Sequence, residues 1–147
     1  MVGKKAENKA VGMSRGGRNT KIHTLVDGLG NPLAFMLSSG NEHDSVHAVS
    51  LLSKINITGS NILGDKAYGA KAIREYIISK GAAYTIQPKE GINDPWAVDW
   101  HTYKERHLVE CFFQKIKWFR RVFTRYDKLD SSFFAFIYIA SITILLK

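Results

Sequence analysis

Residues Tyr103–Lys117, YKERHLVECFFQKIK, separate into two faces when wound as one helix at 3.6 residues per turn. Val109, Phe112, Phe113 and Ile116 follow the i, i+3, i+4, i+7 rule and form a stripe that seeks a core. Tyr103, Arg106, Glu110 and Lys117 share a different face, where a carboxylate sits among two cations and a phenol. Taken alone, the helix reads as a solvated face with an i, i+4 ion pair between Arg106 and Glu110.

The totals narrow the class. At 147 residues the chain is one domain, large enough for a core, and 45% hydrophobic content fits a globular protein. A net charge of +8 favours a polyanionic partner, nucleic acid ahead of a membrane. Structural RNA-binding proteins share that charge, so it does not by itself indicate catalysis. The lone Cys111 excludes an internal disulfide and a thiolate zinc cluster, and reads as a buried thiol in a reducing, cytoplasmic compartment. No secretory signal is visible in MVGKKAENKA. The run Phe133–Leu146 is shorter than the ~20 residues a membrane span needs, and Ser141 and Thr143 interrupt it. It is expected to be a buried terminal helix.

Residues 1–19 are rich in Lys, Arg and Gly and read as a basic flexible arm ahead of a domain over 20–147. Two β-rich runs around DGLGNP predict a hairpin over Thr20–Ser38, with Asp27 in its turn and His23 a half-buried strand residue. NEHDSVHAVSLLSKI predicts a helix capped by Asp44 or Ser45, with Val46, Val49, Leu52 and Ile55 on its apolar face. A short strand then ends at Asp65, and a helix follows over about Ala70–Lys80, stopped by Gly81. The strand AAYTIQPK comes next, and the loop GINDPWAVDW leads into the Tyr103 helix, with Trp96 and Trp100 as lids on the core. The order predicts an α/β fold with a mixed sheet and flanking helices.

The spacing Tyr103-x2-Arg106-x3-Glu110-x6-Lys117 resembles the last catalytic helix of DDE transposases of bacterial insertion sequences, families four and five. GMSRGGRNTKIHTLVDGLGNPL, NEHDS, GDKAYGA and RHLVECFFQKIKWFRRVFTRYDKL extend the resemblance, in order, over most of the chain. It implies a ribonuclease-H-like fold and metal-dependent cleavage and joining of DNA at transposon ends, by an active complex expected to be a homodimer. Such chemistry uses two divalent cations roughly 3.5–4 Å apart. Mg²⁺ or Mn²⁺ takes hard oxygen ligands, so the site gathers carboxylates. Asp65, at a strand end, and Glu110, on the helix, are the matching catalytic and metal-binding positions. Without the resemblance, Asp65 would read as a turn or capping residue. Arg106, Lys117 and Lys66 are matched to phosphates and Tyr103 to DNA near the cut. Arg120 and Arg121, with Arg125 and Lys128, extend the basic surface.

Three departures stand out. Ala67 replaces the family's usual Gly after Asp-Lys, and Gly69 its usual Asp after Tyr68. The family's first aspartate, in a stretch resembling Asp-Ser-x-x-Val-x-Ala-His upstream of the GMSRGG block, has no counterpart in the chain. The expectation is therefore a C-terminal transposase part whose sheet lacks its first strand, inactive until an upstream segment supplies that aspartate. A non-catalytic DNA-binding remnant or inhibitor of the intact transposase is the alternative. A structural RNA-binding domain accounts for the charge but leaves Asp65 and Glu110 unexplained.

Overall fold

A computed structural model describes residues 10–14 and 17–147. Much of the expected basic arm, residues 1–9, 15 and 16, lies outside the described residues. The rest is a mixed α/β fold built on two small sheets. Strands β1 (Gly12–Ser14), β2 (Gly17–Val26) and β3 (Pro32–Ser39) form an antiparallel sheet. Strands β4 (Asn61–Gly64) and β5 (Ala83–Ile86) form a parallel pair, with α2 (Lys71–Ser79) as their crossover. The hairpin and both later strands fall where their sequence patterns put them.

The β2–β3 turn is closed by Asp27, whose Oδ1 accepts from the backbone N–H of Asn31 (2.9 Å) and of Leu29 (2.8 Å). Those bonds hold its carboxyl below the usual range. Gly30 takes a φ of +83° there, a conformation that a side chain would strain.

Alternation along β2 serves two cores. Ile22 and Val26 face one cluster, centred on Phe35, Phe112, Ile116, Phe133 and Ile137. Leu25 faces a second, centred on Leu52, Ile57, Ile73, Ile77 and Ile86. The first cluster joins the hairpin to α4 (His107–Ile116), α5 (Arg120–Phe123) and α6 (Asp130–Leu145). The second joins α1 (Ala48–Leu52), α2 and the parallel pair.

Several local expectations are corrected. The Tyr103–Lys117 helix is not uniform: α3 (Trp100–Tyr103) passes into a tight 3₁₀ turn over Lys104–Arg106 before α4 begins. Backbone angles stay right-handed through the join, so the apolar stripe survives, with Phe112 and Ile116 each only 1% exposed. The helix expected from Asp44 starts as a 3₁₀ turn over Asp44–His47 with no side-chain cap. Its Val46 points outward, because the tighter winding rotates it off the stripe. Trp96 lies edge-on to Tyr84 at the rim of the second core, its Nε1 donating to the Ile86 carbonyl (2.7 Å) and its ring carrying the Arg74 guanidinium at 3.9 Å. Trp100 is exposed instead, edge-on to Tyr103. Helix α6 buries Phe133, Ile137, Ala140 and Ser141 but leaves Tyr138, Ile139, Ile142 and Leu145 exposed, so it is half buried. No described helix is long and apolar enough to cross a membrane. Cys111 is part-exposed rather than buried.

Arg125 belongs to the fold and not to the basic surface. Its guanidinium donates to Asp130 Oδ1 (2.7 Å), Thr20 Oγ1 (2.7 Å) and the Asp127 carbonyl (2.9 Å), tying the start of α6 to β2. Arg125→Ala leaves Asp130 the Ala10 N–H (3.2 Å) but no cation, and removes bonds to a charged group, which are worth ~1.5–3 kcal/mol each. Chemical denaturation is expected to show a loss of about that size, and an unchanged midpoint would mean the network contributes nothing.

Candidate active site

A cavity of about 760 Å³ opens between the two sheets. Consecutive residues Lys21–Gly28 of β2 and its turn, and Asn61–Asp65 of β4 and its end, line it. Side chains of one strand face would alternate, so an unbroken run means that strand edges form the walls. Pairing agrees: Thr20–Val26 bond only to β3, and β4 only to β5. Among the described residues, each therefore keeps one unpaired edge.

The sequence-predicted residues divide around this cavity. Asp65, Arg106 and Glu110 line it; Tyr103, Lys66, Lys117, Arg120 and Arg121 do not. Asp65 leaves β4 in extended conformation (φ −78°), and its Oδ1 accepts from the Ala67 N–H at 2.8 Å, capping the turn Lys66–Tyr68. Ala67, one of the two departures beside Asp65, thus supplies only a backbone donor. At Gly69, the other, an added Cβ would lie 3.4 Å from the Lys66 carbonyl and 3.5 Å from Trp96. Both are ordinary van der Waals separations, so the backbone there accepts a Cβ without shifting.

Glu110 Oε1 pairs with Arg106 Nη1 at 2.9 Å, and the Arg106 guanidinium lies 5.5 Å over the Tyr103 ring. The Tyr103 hydroxyl donates a long bond (3.4 Å) to Gln87. Three of the four residues on that predicted face are therefore one assembly, and Lys117 stands exposed beyond them at the end of α4. Lys66 reaches Glu90 only at 3.9 Å. Exposed i, i+4 pairs such as Arg106–Glu110 contribute only ~0.3–0.5 kcal/mol, so stability does not explain Glu110.

Asp44 also lines the cavity, and reading the chain as helix caps missed it. It pairs with Lys21 Nζ at 2.8 Å, while Lys21 also donates to the Glu42 carbonyl at 2.7 Å. Tyr68 sits in the field of both aspartates: burial first, then the charges of Asp44 and Asp65, push its phenol up to about 12. It stays protonated and able to donate. Lys21 on β2 is distant in sequence from Asp44, so no short-range pattern signals that pairing.

His23 is buried in the same wall, its Nε2 2.7 Å from Ser38 Oγ and its ring centroid 5.2 Å from that of His47. Burial, partly opposed by the Asp44 charge, lowers its pKa below the ordinary 6.5. The unfolded chain then takes up this proton first. Stability is full above 6.5 and is lost as pH falls below it. Denaturation midpoints are expected to drop on acidification through that window, and less steeply in His23→Gln. Parallel pH profiles for the two proteins would remove His23 from the account.

Carboxylate oxygens are the donors that Mg²⁺ or Mn²⁺ takes. Asp27, Asp44, Asp65, Glu105 and Glu110 all line the cavity, yet among the described residues no three His, Cys, Asp or Glu side chains converge to hold an ion.

Residues 3–145 match the transposase DDE domain family. The chain belongs to the DDE transposase family. It is also similar to the putative transposase for insertion sequence element IS6501 of Brucella ovis, with 36% identity over 129 residues, 87% of this chain and 98% of that protein. No solved structure matches it. Within this transposase family, Asp65 and Glu110 are the carboxylates of the cavity wall that the sequence motifs had singled out.

Proposed function

We propose that the chain is the C-terminal part of a ribonuclease-H-like DDE transposase catalytic domain that cleaves transposon ends and joins the 3′ hydroxyl to target DNA. The observation that carries this reading is that Asp65 and Glu110 both line one cavity, walled by two strand edges that are unpaired among the described residues. A further strand, bearing the family's remaining aspartate, would bond to β2 and β4 at once and join the two sheets into one. Its side chains would enter between the two cores, and its aspartate would complete a carboxylate set suited to Mg²⁺ or Mn²⁺. An upstream segment, fused or separate, is the proposed source, in a complex proposed to be dimeric and cytoplasmic. Arg106 would hold DNA phosphate beside the carboxylates, with Tyr103, Lys66, Lys117, Arg120 and Arg121 extending the DNA contact.

The chain alone is expected not to cut. Supercoiled plasmid incubated with it and Mg²⁺ or Mn²⁺ should stay intact; nicking that Glu110→Ala abolishes would show that no further carboxylate is needed.

The absence of a three-ligand cluster among the described residues favours, as a second reading, a DNA-binding protein without catalysis. Both readings predict DNA retention dominated by phosphate contacts, given a net charge of +8. Affinity should then fall steeply with salt and depend little on sequence. A flat salt response would sink that part of both.

A further inference from the structure

The connection from α4 to α6 carries a surface that the cavity does not use. Trp118 is 88% exposed and Phe123 is 68% exposed, the highest values for any aromatic ring among the described residues. Between them, Val122 is buried and Phe119 packs against the first core, so the segment is anchored while these two rings face water. Backbone bonds from Trp118 N–H to the Lys115 carbonyl (3.3 Å) and from Phe123 N–H to the Phe119 carbonyl (3.0 Å) hold both in tight turns.

Lys115, Lys117, Arg120 and Arg121 neighbour these two residues along the chain, and all four are exposed, with the Arg121 guanidinium 4.6 Å over the Phe136 ring. Asp127 is the single acid between Lys115 and Lys128. It reaches Arg121 at 3.6 Å, while the Arg120 guanidinium lies 6.0 Å over the Tyr126 ring. Exposed flat rings set among cations match the chemistry of a single nucleic-acid strand: cations take the phosphates and each ring takes a base face. A duplex offers phosphates too, but its base faces are covered by neighbouring bases. The cations alone would therefore serve a duplex, and the rings add something only where bases are unpaired.

We propose that Trp118 and Phe123 are stacking platforms for unpaired bases of single-stranded DNA, with Lys115, Lys117, Arg120 and Arg121 holding its phosphates. This rests on the reading of DNA as the partner. It adds that the protein engages DNA in a locally opened form on this surface, apart from the carboxylate cavity.

The test titrates the full chain into a labelled oligo(dT) strand and into a blunt duplex of equal length, following anisotropy. Trp118→Ala and Phe123→Ala should each weaken single-strand binding by about 5- to 150-fold, the loss of one stacked base, while duplex affinity barely moves. Trp118→Phe should recover most of the single-strand affinity. Trp118 fluorescence, isolated in a Trp96→Phe, Trp100→Phe background, should be quenched by oligo(dT) and not by duplex. Equal weakening toward both DNAs, or no weakening toward oligo(dT), overturns the stacking role and leaves the DNA reading standing. Self-association that Trp118→Ala abolishes, with oligo(dT) affinity unchanged, assigns the surface to protein contact and also overturns it. Failure of the wild-type chain to bind either DNA overturns both.

Discussion

Asp65→Asn and Glu110→Gln are each expected to abolish cleavage in a reconstituted transposase, one in which a polypeptide bearing the further aspartate strand is joined to this chain. Both changes keep side-chain size and remove the charge that a divalent cation needs. Even changes one step out from a metal ligand cost ~10–100-fold in metal affinity or activity, so loss of a direct ligand should exceed that. DNA retention should hardly change, because phosphate contacts come from the cations. Folding should hold as well. Glu110 contributes only an exposed pair with Arg106, and an Asn at 65 can still accept from the Ala67 N–H. Arg106→Ala and Lys117→Ala should lower activity only in part and weaken DNA binding with it. Normal excision of transposon ends by the Glu110→Gln protein would falsify the assignment of the Tyr103–Lys117 segment to catalysis.

Phe112→Ala is expected to cost ~3–5 kcal/mol of stability, the range for removing a buried aromatic ring from a core. Phe112 is 1% exposed, with its ring 5.8 Å from Phe35 and 6.0 Å from Phe113, so it links α4 to the hairpin. Ile77→Ala is the counterpart in the second cluster, where Ile77 is completely buried between α2 and the parallel strands. The two cores lie on opposite faces of β2, and a cavity separates the two sheets, so each change should loosen mainly its own side. Hydrogen exchange should show protection falling in β3, α4 and α6 for Phe112→Ala, and in α1, α2 and β5 for Ile77→Ala. Adding the further strand should merge these responses into one sharper transition. A uniform loss of protection in the unreconstituted chain would mean that the cavity does not divide the fold.

Most elements were legible from local pattern. Period-two runs around DGLGNP define the hairpin, and Asp27 with Gly30 closes its turn as that composition requires. The apolar stripe of α4 and the stop of α2 at Gly81, with its φ of +69°, follow from helical spacing and backbone freedom. Arg106 and Glu110 were legible as an i, i+4 pair for the same reason. Such features depend on residues within one or two turns of each other, and the sequence by itself determined them. Other features depend on what packs across the chain. Asp44 gave up its cap for Lys21 on β2, Arg125 left the surface for Thr20 and Asp130, and Trp100 turned outward while Trp96 stayed at the rim of the core. The cavity itself is of that kind. The β2 and β4 edges, Asp65 and Glu110 come to line one cavity only when the two cores are placed on opposite faces of β2, and burial of Phe112 and Ile77 against their own clusters sets that placement.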